Sequence, residues 1–346
     1  MVNVTIIGAN GYSGLELIQI LLRHPKIQIK MLVSQSHHGK TISQIYPHLQ
    51  KITNKKLEKF DIDKISQVSQ VVFFATPAGI SKKLLPLCLK KGLICIDLSG
   101  DFRLNRVSLY QKWYGKKSAS SKLLKKAVYG LSEINSSQIK KARFVANPGC
   151  FPTATLLALA PIIQTNIADI SSIIIDGKSG ISGAGQKTSF NNLFSQISQN
   201  TKPYKIGFHQ HTPEIEQEIY QITGKKAPIT FTPQIVPMVR GILITAYLNL
   251  KLDISTTEIL KIYQNFYKKN YFIRIFPKGN WPQTKDVVAS NFCDIGLFSD
   301  RRTHRLTIAS TIDNLVKGAA GQAIQDLNLM KGWKEELGLK TMPIFP

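Results

Sequence analysis

Cys150 lies in Asn147-Pro148-Gly149-Cys150-Phe151-Pro152-Thr153, directly ahead of the apolar run Ala154 to Ile163. The run reads as a helix with Pro152 in its first turn, where a missing N–H costs nothing, and the Pro148-Gly149 turn delivers the chain to it. A thiol at that junction faces unpaired backbone N–H groups and the positive end of a helix dipole, and both favour the nucleophilic thiolate. By default a free Cys is only a small buried hydrophobe. Chemistry therefore needs a partner, and His209-Gln210-His211-Thr212-Pro213-Glu214-Ile215 supplies two imidazoles ahead of a second helical run. Thr212 is expected as the N-cap there, with Pro213 at the first helical position. A histidine can take the thiol proton and later return one to a substrate oxygen, with Glu214 orienting either ring. A zinc shared by His209, His211 and a Cys or Glu is the alternative, but no further ligand-spaced partners accompany them, so no metal is expected.

A second constellation opens the chain. Gly8-Ala9-Asn10-Gly11-Tyr12-Ser13-Gly14 follows the first β-type run and starts the first helical one. Its glycines permit a tight turn and close approach of a pyrophosphate to helix N–H groups, although the spacing is GxxGxxG rather than GxGxxG. NAD-preferring folds place a carboxylate near the end of the second strand. Here that end reads Val33-Ser34-Gln35-Ser36-His37-His38-Gly39-Lys40, with none. Hydroxyls and Lys40 suit a 2′-phosphate, so NADP is favoured. A further glycine loop, Asp176 to Gly185, leaves room for a nicotinamide ring or substrate; a flexible surface turn is the plainer reading.

The elements that position these groups fall into two patterns. Up to Ala146, β-type and helical segments alternate: Val2 to Ile7, Gly14 to Leu22, Ile27 to Val33, Val71 to Ala75, Lys82 to Lys90, Leu93 to Leu98, then Ala142 to Ala146. That rhythm predicts an α/β, doubly wound, Rossmann-type parallel sheet. The polar stretch from Asn105 to Leu124 is expected to be surface structure. After Cys150 come longer β-rich runs at Ser172 to Asp176, Ile229 to Pro233, Gly241 to Leu250 and Leu306 to Ile312, with helices at Pro213 to Tyr220 and Thr256 to Tyr267. They predict an α+β catalytic and oligomerisation domain with a largely antiparallel sheet. The expected division is 1–149 and 150–313, with a long helix over 314–330 returning to the first domain.

Composition narrows the class. With 346 residues and 43% hydrophobic content the chain can fill two cores. The first residues lack a basic n-region and a long apolar run, so no secretory leader is expected, and the longest apolar stretch is far short of the ~20 residues of a spanning helix, so no membrane partner is expected. Four scattered cysteines suggest neither a disulfide framework nor a zinc site, which fits a cytoplasmic protein. The formal charge of +24 invites a nucleic-acid reading. Its lysines are dispersed in small groups with no basic tail, so no nucleic-acid partner is expected, although anionic small ligands benefit from the field.

Several motifs together resemble one family, the N-acetyl-gamma-glutamyl-phosphate reductases. They are GANGYSG (Gly8 to Gly14), DLSGDFR (Asp97 to Arg103), YGLSE (Tyr129 to Glu133), NPGCFPT (Asn147 to Thr153), GISGAG (Gly180 to Gly185), HQHTPEI (His209 to Ile215), VPMVRGI (Val236 to Ile242) and DNLVKGAAGQA (Asp313 to Ala323). Departures are Gln210 and Gln186 where the family often has Arg, and Phe151 for the common Tyr. The resemblance implies an NADP-dependent enzyme of arginine biosynthesis that reduces an acyl phosphate to an aldehyde and releases phosphate, with Cys150 holding the acyl group as a thioester. It implies His209 as acid/base, and Arg103, His211, Glu214 and Arg240 at the substrate. Cofactor contacts are expected at Gly8, Ala9, Asn10, Gly11, Tyr12, Ser13, Gly14, Ser34, Ser36, Pro77, Ser99, Ser182, Gly183 and Asn314. A dimer or tetramer is also implied. The rivals are an aspartate-semialdehyde dehydrogenase-like acyl-phosphate reductase, a catalytically silent NADP-binding protein and a basic nucleic-acid binder.

Overall fold

The structure is a computed structural model and describes residues 1–344. Two compact units divide it: Met1–Pro148 with Ala319–Lys340, and Gly149–Gly318 with the C-terminal tail. The chain thus leaves the first unit one residue before Gly149 and re-enters at Ala319, later than the expected 314.

The first unit is built on strands β1 (Val2–Ile7), β2 (Ile27–Val33), β3 (Leu57–Glu58), β4 (Val71–Phe74), β5 (Ile94–Asp97), β6 (Val128–Tyr129) and β7 (Phe144–Ala146), in the order β3-β2-β1-β4-β5-β7-β6. Every pairing in it is parallel. All four residues of β4 are buried, as the apolar run Val71-Val72-Phe73-Phe74 requires of a central strand covered on both faces. Strand order reverses between β1 and β4, which opens a crevice at their carboxyl ends, the usual ligand position of such sheets. The stretch 105–124 is more than surface: it contains helices Val107–Tyr114 and Ser121–Leu124, and Tyr110 is fully buried. The expected long helix over 314–330 is instead a π-helical turn, Val316–Ala320, followed by an α-helix, Gly321–Met330. That α-helix is polar yet buried, because Gln322 donates to the Gly130 carbonyl (2.9 Å) and Asp326 accepts the Ser132 hydroxyl (2.6 Å).

The second unit carries β8 (Ala168–Ser179), β9 (Lys202–Pro203), β10 (Thr230–Ile235), β11 (Ile242–Leu250), β12 (Ile273–Ile275), β13 (Cys293–Asp300) and β14 (Arg305–Ile312), in the order β12-β13-β14-β11-β8-β10-β9. Only the β8–β10 and β12–β13 pairs are parallel. The helix Cys150–Ile163 is buried at every position but its first, since its sequence is apolar all round. Pro161 within it cannot donate to the Leu157 carbonyl, and the Tyr267 hydroxyl takes that role at 2.6 Å. A neighbouring phenol, Tyr263, bonds the Ala158 carbonyl at 2.7 Å. The helix Thr212–Thr223 starts at its expected cap residue, one residue earlier than the expected first position Pro213. Thr212 is its first residue, and His211 takes the cap position with no side-chain capping bond to the helix. The Ile215 N–H, the donor a Thr212 cap would satisfy, is bonded to the His211 carbonyl at 3.0 Å, which leaves the Thr212 hydroxyl no capping task.

Candidate active site

Cys150 is the first residue of its helix, after Gly149 in extended conformation with no side-chain cap. The Gly149 N–H donates to Glu214 Oε1 at 2.8 Å, so the buried carboxylate binds the approach to the helix. The thiol is half-buried, whereas the other three cysteines are buried. Beside it, Phe151 meets the ring of His209 edge-on at 5.8 Å, His211 at 6.1 Å and Phe231 at 5.2 Å. The two imidazoles are 4.7 Å apart, and Tyr204 lies 5.5 Å from His209. Burial pushes the Tyr204 phenol up, and the charge of Cys150 adds to the shift.

His209 is buried, and its pKa is lowered to about 3, first by that burial and then by the Lys205 ammonium. Its Nδ1 accepts the His211 backbone N–H at 3.1 Å, so the tautomer assigned to the neutral ring carries its proton on Nε2. A neutral donor is available, while the lone pair that would take a thiol proton is engaged. The geometry favours hydrogen-bond donation by the neutral ring over proton abstraction.

Elsewhere in this unit the second glycine loop is pinned rather than loose. It forms a 3-10 turn, Ile181–Ala184. Asn314 donates to Ser182 Oγ (2.9 Å) and accepts the Gly241 N–H (2.8 Å), while Gly183 stands 3.9 Å from Asn314 Nδ2 by its ideal Cβ position. Arg240 pairs with buried Asp313 at 3.3 Å.

In the first unit, the cofactor candidates gather at the carboxyl edge of the sheet. Gly8 has φ +84, and a Cβ there would lie 2.3 Å from the Ala75 carbonyl; one on Gly14 would lie 2.3 Å from the Gly8 carbonyl. A Cβ on Gly11 meets nothing nearer than 3.6 Å. The fold itself needs the outer glycines, whereas no neighbour this close constrains the middle one, at the start of the helix Tyr12–Leu21. Ser34 donates to Asn10 Oδ1 at 2.7 Å, and the Asn10 amide reaches Ser36 (3.5 Å) and His37 (3.2 Å). Side chains of the β1 and β2 ends thus form a polar latch without a carboxylate, which fits a nucleotide with a 2′-phosphate. Pro77 follows β4, and Ser99 follows β5 with its hydroxyl on Asp97 (2.8 Å). Arg103 is bound to main chain, with Nε on the Asn147 carbonyl (2.8 Å) and Nη2 on that of Leu98 (2.7 Å).

Comparison with known proteins follows the same division. Residues 3–142 match the model described as "Semialdehyde dehydrogenase, NAD binding domain", and residues 150–314 match "Semialdehyde dehydrogenase, dimerisation domain". N-acetyl-gamma-glutamyl-phosphate reductase of Bacillus subtilis is 47% identical over 343 residues, 99% of each chain, and that of Geobacillus stearothermophilus is 46% identical over 346 residues, 100% of each. The chain belongs to the N-acetyl-gamma-glutamyl-phosphate reductase family. Among solved structures, aspartate semialdehyde dehydrogenase II of Vibrio cholerae superposes with a TM-score of 0.74 at 20% identity, covering 96% of this chain and 98% of that one. Aspartate semialdehyde dehydrogenase of Candida albicans, solved with NADP, gives 0.73 at 15% identity with 96% and 98% covered. These establish a shared fold. Family motifs led to Cys150 and the histidines but not to Tyr204, which stands in the polar run Thr201-Lys202-Pro203-Tyr204-Lys205. No periodic or capping signal marks it, because its place depends on the antiparallel pairing of β9 with β10.

Proposed function

We propose that the chain catalyses the NADPH-dependent reduction of N-acetyl-L-glutamyl 5-phosphate to N-acetyl-L-glutamate 5-semialdehyde, with release of phosphate. The observation that carries this reading is a half-buried Cys150 at the start of a buried helix, with the next residue, Phe151, packed on the rings of His209 and His211. Cys150 thiolate attacks the acyl carbonyl and the C–O bond to phosphate breaks, leaving a thioester. Bound NADPH supplies the hydride that reduces it. His209 Nε2–H is the hydrogen-bond donor for the substrate oxygen as negative charge develops there. His211 stands next to it, and Glu214 holds the turn into the helix. The aldehyde leaves as the C–S bond breaks and the thiolate is restored. Gly8 to Gly14, Ser34 and Ser36 would hold the nucleotide, with Pro77, Ser99, Ser182, Gly183 and Asn314 as further contacts. Arg103 and Arg240 remain the candidates for the substrate's anionic groups. In this reading a second copy of the chain packs on the sheet of the second unit.

The test is turnover in the reverse direction, with aldehyde, phosphate and NADP. N-acetylglutamate semialdehyde should be consumed far faster than aspartate semialdehyde, and the opposite preference would overturn the assignment. Cys150→Ser should bind NADP as wild type does and lose nearly all turnover; retained turnover would remove the thioester from the mechanism.

A further inference from the structure

The turn after β4 contains Pro77 and Gly79, the latter with φ +106. Asp101, fully buried, holds this turn. Its two oxygens accept the Gly79 N–H at 2.7 and 2.9 Å, Oδ2 also accepts the Lys82 N–H (3.1 Å), and Oδ1 accepts the Tyr110 hydroxyl (2.5 Å). Asp97, fully buried at the end of β5, accepts the Ser99 N–H (3.1 Å) on Oδ1 and the Ser99 hydroxyl (2.8 Å) on Oδ2. The two carboxylates meet at Ser81. Its Oγ is 3.1 Å from Asp97 Oδ2, 3.0 Å from Asp101 Oδ2 and 2.7 Å from Ser99 Oγ.

Those contacts and the Ser99–Asp97 bond need a hydrogen each, yet two hydroxyls carry only one apiece. Oxygen lone pairs would otherwise face one another out of water. A proton on Asp97 Oδ2 supplies a third hydrogen, donating to Ser81 while Ser81 donates to Asp101 and so linking the two carboxyl groups through one chain.

We propose that Asp101 is a positioning residue that sets the Pro77–Gly79 turn for the cofactor, and that a proton held on Asp97 maintains this arrangement, so that its loss weakens NADPH binding. The proposal rests on the reading of the first unit as the NADPH site. Burial pushes the pKa of Asp97 up to about 7; the Ser99 bonds oppose it, Asp101 adds to it and Arg103 opposes it. Other titratable groups around it are Cys95 on its own strand and Tyr110, which stacks on Tyr114 at 4.5 Å. On the helix Ser81–Lys90, Lys82 lies with Nζ 5.4 Å from the Tyr110 ring. Flanking strands offer Phe74 and Ala146, both neutral, and Asp326 of the helix Gly321–Met330, which also packs on β5, is bound to Ser132. Below its pKa Asp97 is protonated, and three of the four contacts carry a hydrogen. Above it two neighbouring carboxylates repel across Ser81.

NADPH dissociation constants, read by cofactor fluorescence on the full chain from pH 6 to 9, test this. Titration of the cofactor's own phosphate is common to all variants and cancels in ratios. The ratio of wild-type Kd to Asp97→Asn Kd should rise from its pH 6 value by about tenfold at pH 8.5, within the range usual for linked sites. Asp101→Asn should raise the KM for NADPH more than it lowers kcat. Ser81→Ala keeps both carboxylates, and should move the pH midpoint of wild-type binding downward by removing the acceptor of the Asp97 proton. A flat ratio across the range, or an unmoved midpoint in Ser81→Ala, overturns the proposal whether or not Asp101→Asn folds. Failure of the wild-type chain to bind NADPH at any pH would instead overturn the functional reading.

Discussion

His209 is held neutral by its removal from water and by Lys205, with a pKa of about 3. Between that value and the ordinary histidine range near 6.5, the unfolded chain binds a proton that the folded ring refuses. Its contribution to stability is therefore complete above about pH 6.5 and is lost as pH falls toward 3. Thermal melts should show a fall from pH 7 to 4 that is smaller in His209→Asn, and an equal fall in both would contradict the assignment of the ring as buried and neutral. The same variant tests the chemistry. An Asn oxygen in that turn can accept the His211 N–H as Nδ1 does, so the loop survives while the Nε2–H donor is lost. A drop in kcat of about 10²- to 10³-fold is expected, the usual range for loss of one donor to a developing oxyanion. If His211→Asn loses as much and His209→Asn loses little, the roles are reversed. At this scale the sequence was legible where a local rule exists: Cys150 after Pro148-Gly149, and His209 and His211 before Pro213. Tyr204 was not, because only the pairing of distant strands brings it to His209.

Among elements, helix starts do most of the positioning, and the π-helical turn Val316–Ala320 supports one of them. An ideal Cβ on Gly318 would lie 2.7 Å from Cys150 Cβ and 3.2 Å from its Cα. Neither atom can yield without moving the helix start. Gly318→Ala should therefore destabilise the chain by about 1–3 kcal/mol, the usual range for overpacking, and should slow iodoacetamide modification of Cys150. Wild-type melting together with wild-type thiol reactivity would show that the turn does not constrain the helix. Regular elements such as β1, β2 and the helix Thr256–Tyr267 were legible because period and capping agree, with Ser255 and Glu258 forming a reciprocal cap. The π turn was not. Its residues have helical composition, and it departs from an α-helix where the chain passes from one unit to the other at Gly318.

On the scale of the whole molecule, alternation along β8 and β11 leaves one sheet face packed on helices and the other open. Thr230, Ile174, Tyr247, Thr307 and Phe298 are register partners across that open face. Ile174 and Phe298 are each 44% exposed. A row of this kind pairs naturally with itself across a two-fold axis, and the matched family model for residues 150–314 is described as a dimerisation domain. The expected assembly is a dimer through this face. It must form against the repulsion of two chains of formal charge +24, so screening should favour it. In analytical ultracentrifugation, the dimer should tighten as salt rises from about 20 to 200 mM, over which the Debye length shortens severalfold. Ile174→Asp combined with Phe298→Asp should give a monomer, because it places two carboxylates per chain in the desolvated centre of the interface. Salt acts through the long-range field and the substitutions act at the contact, so the two outcomes are separable. A double variant that remains dimeric would move the interface to another surface, whereas a wild-type dimer that weakens with salt would mean that attraction between charges holds it.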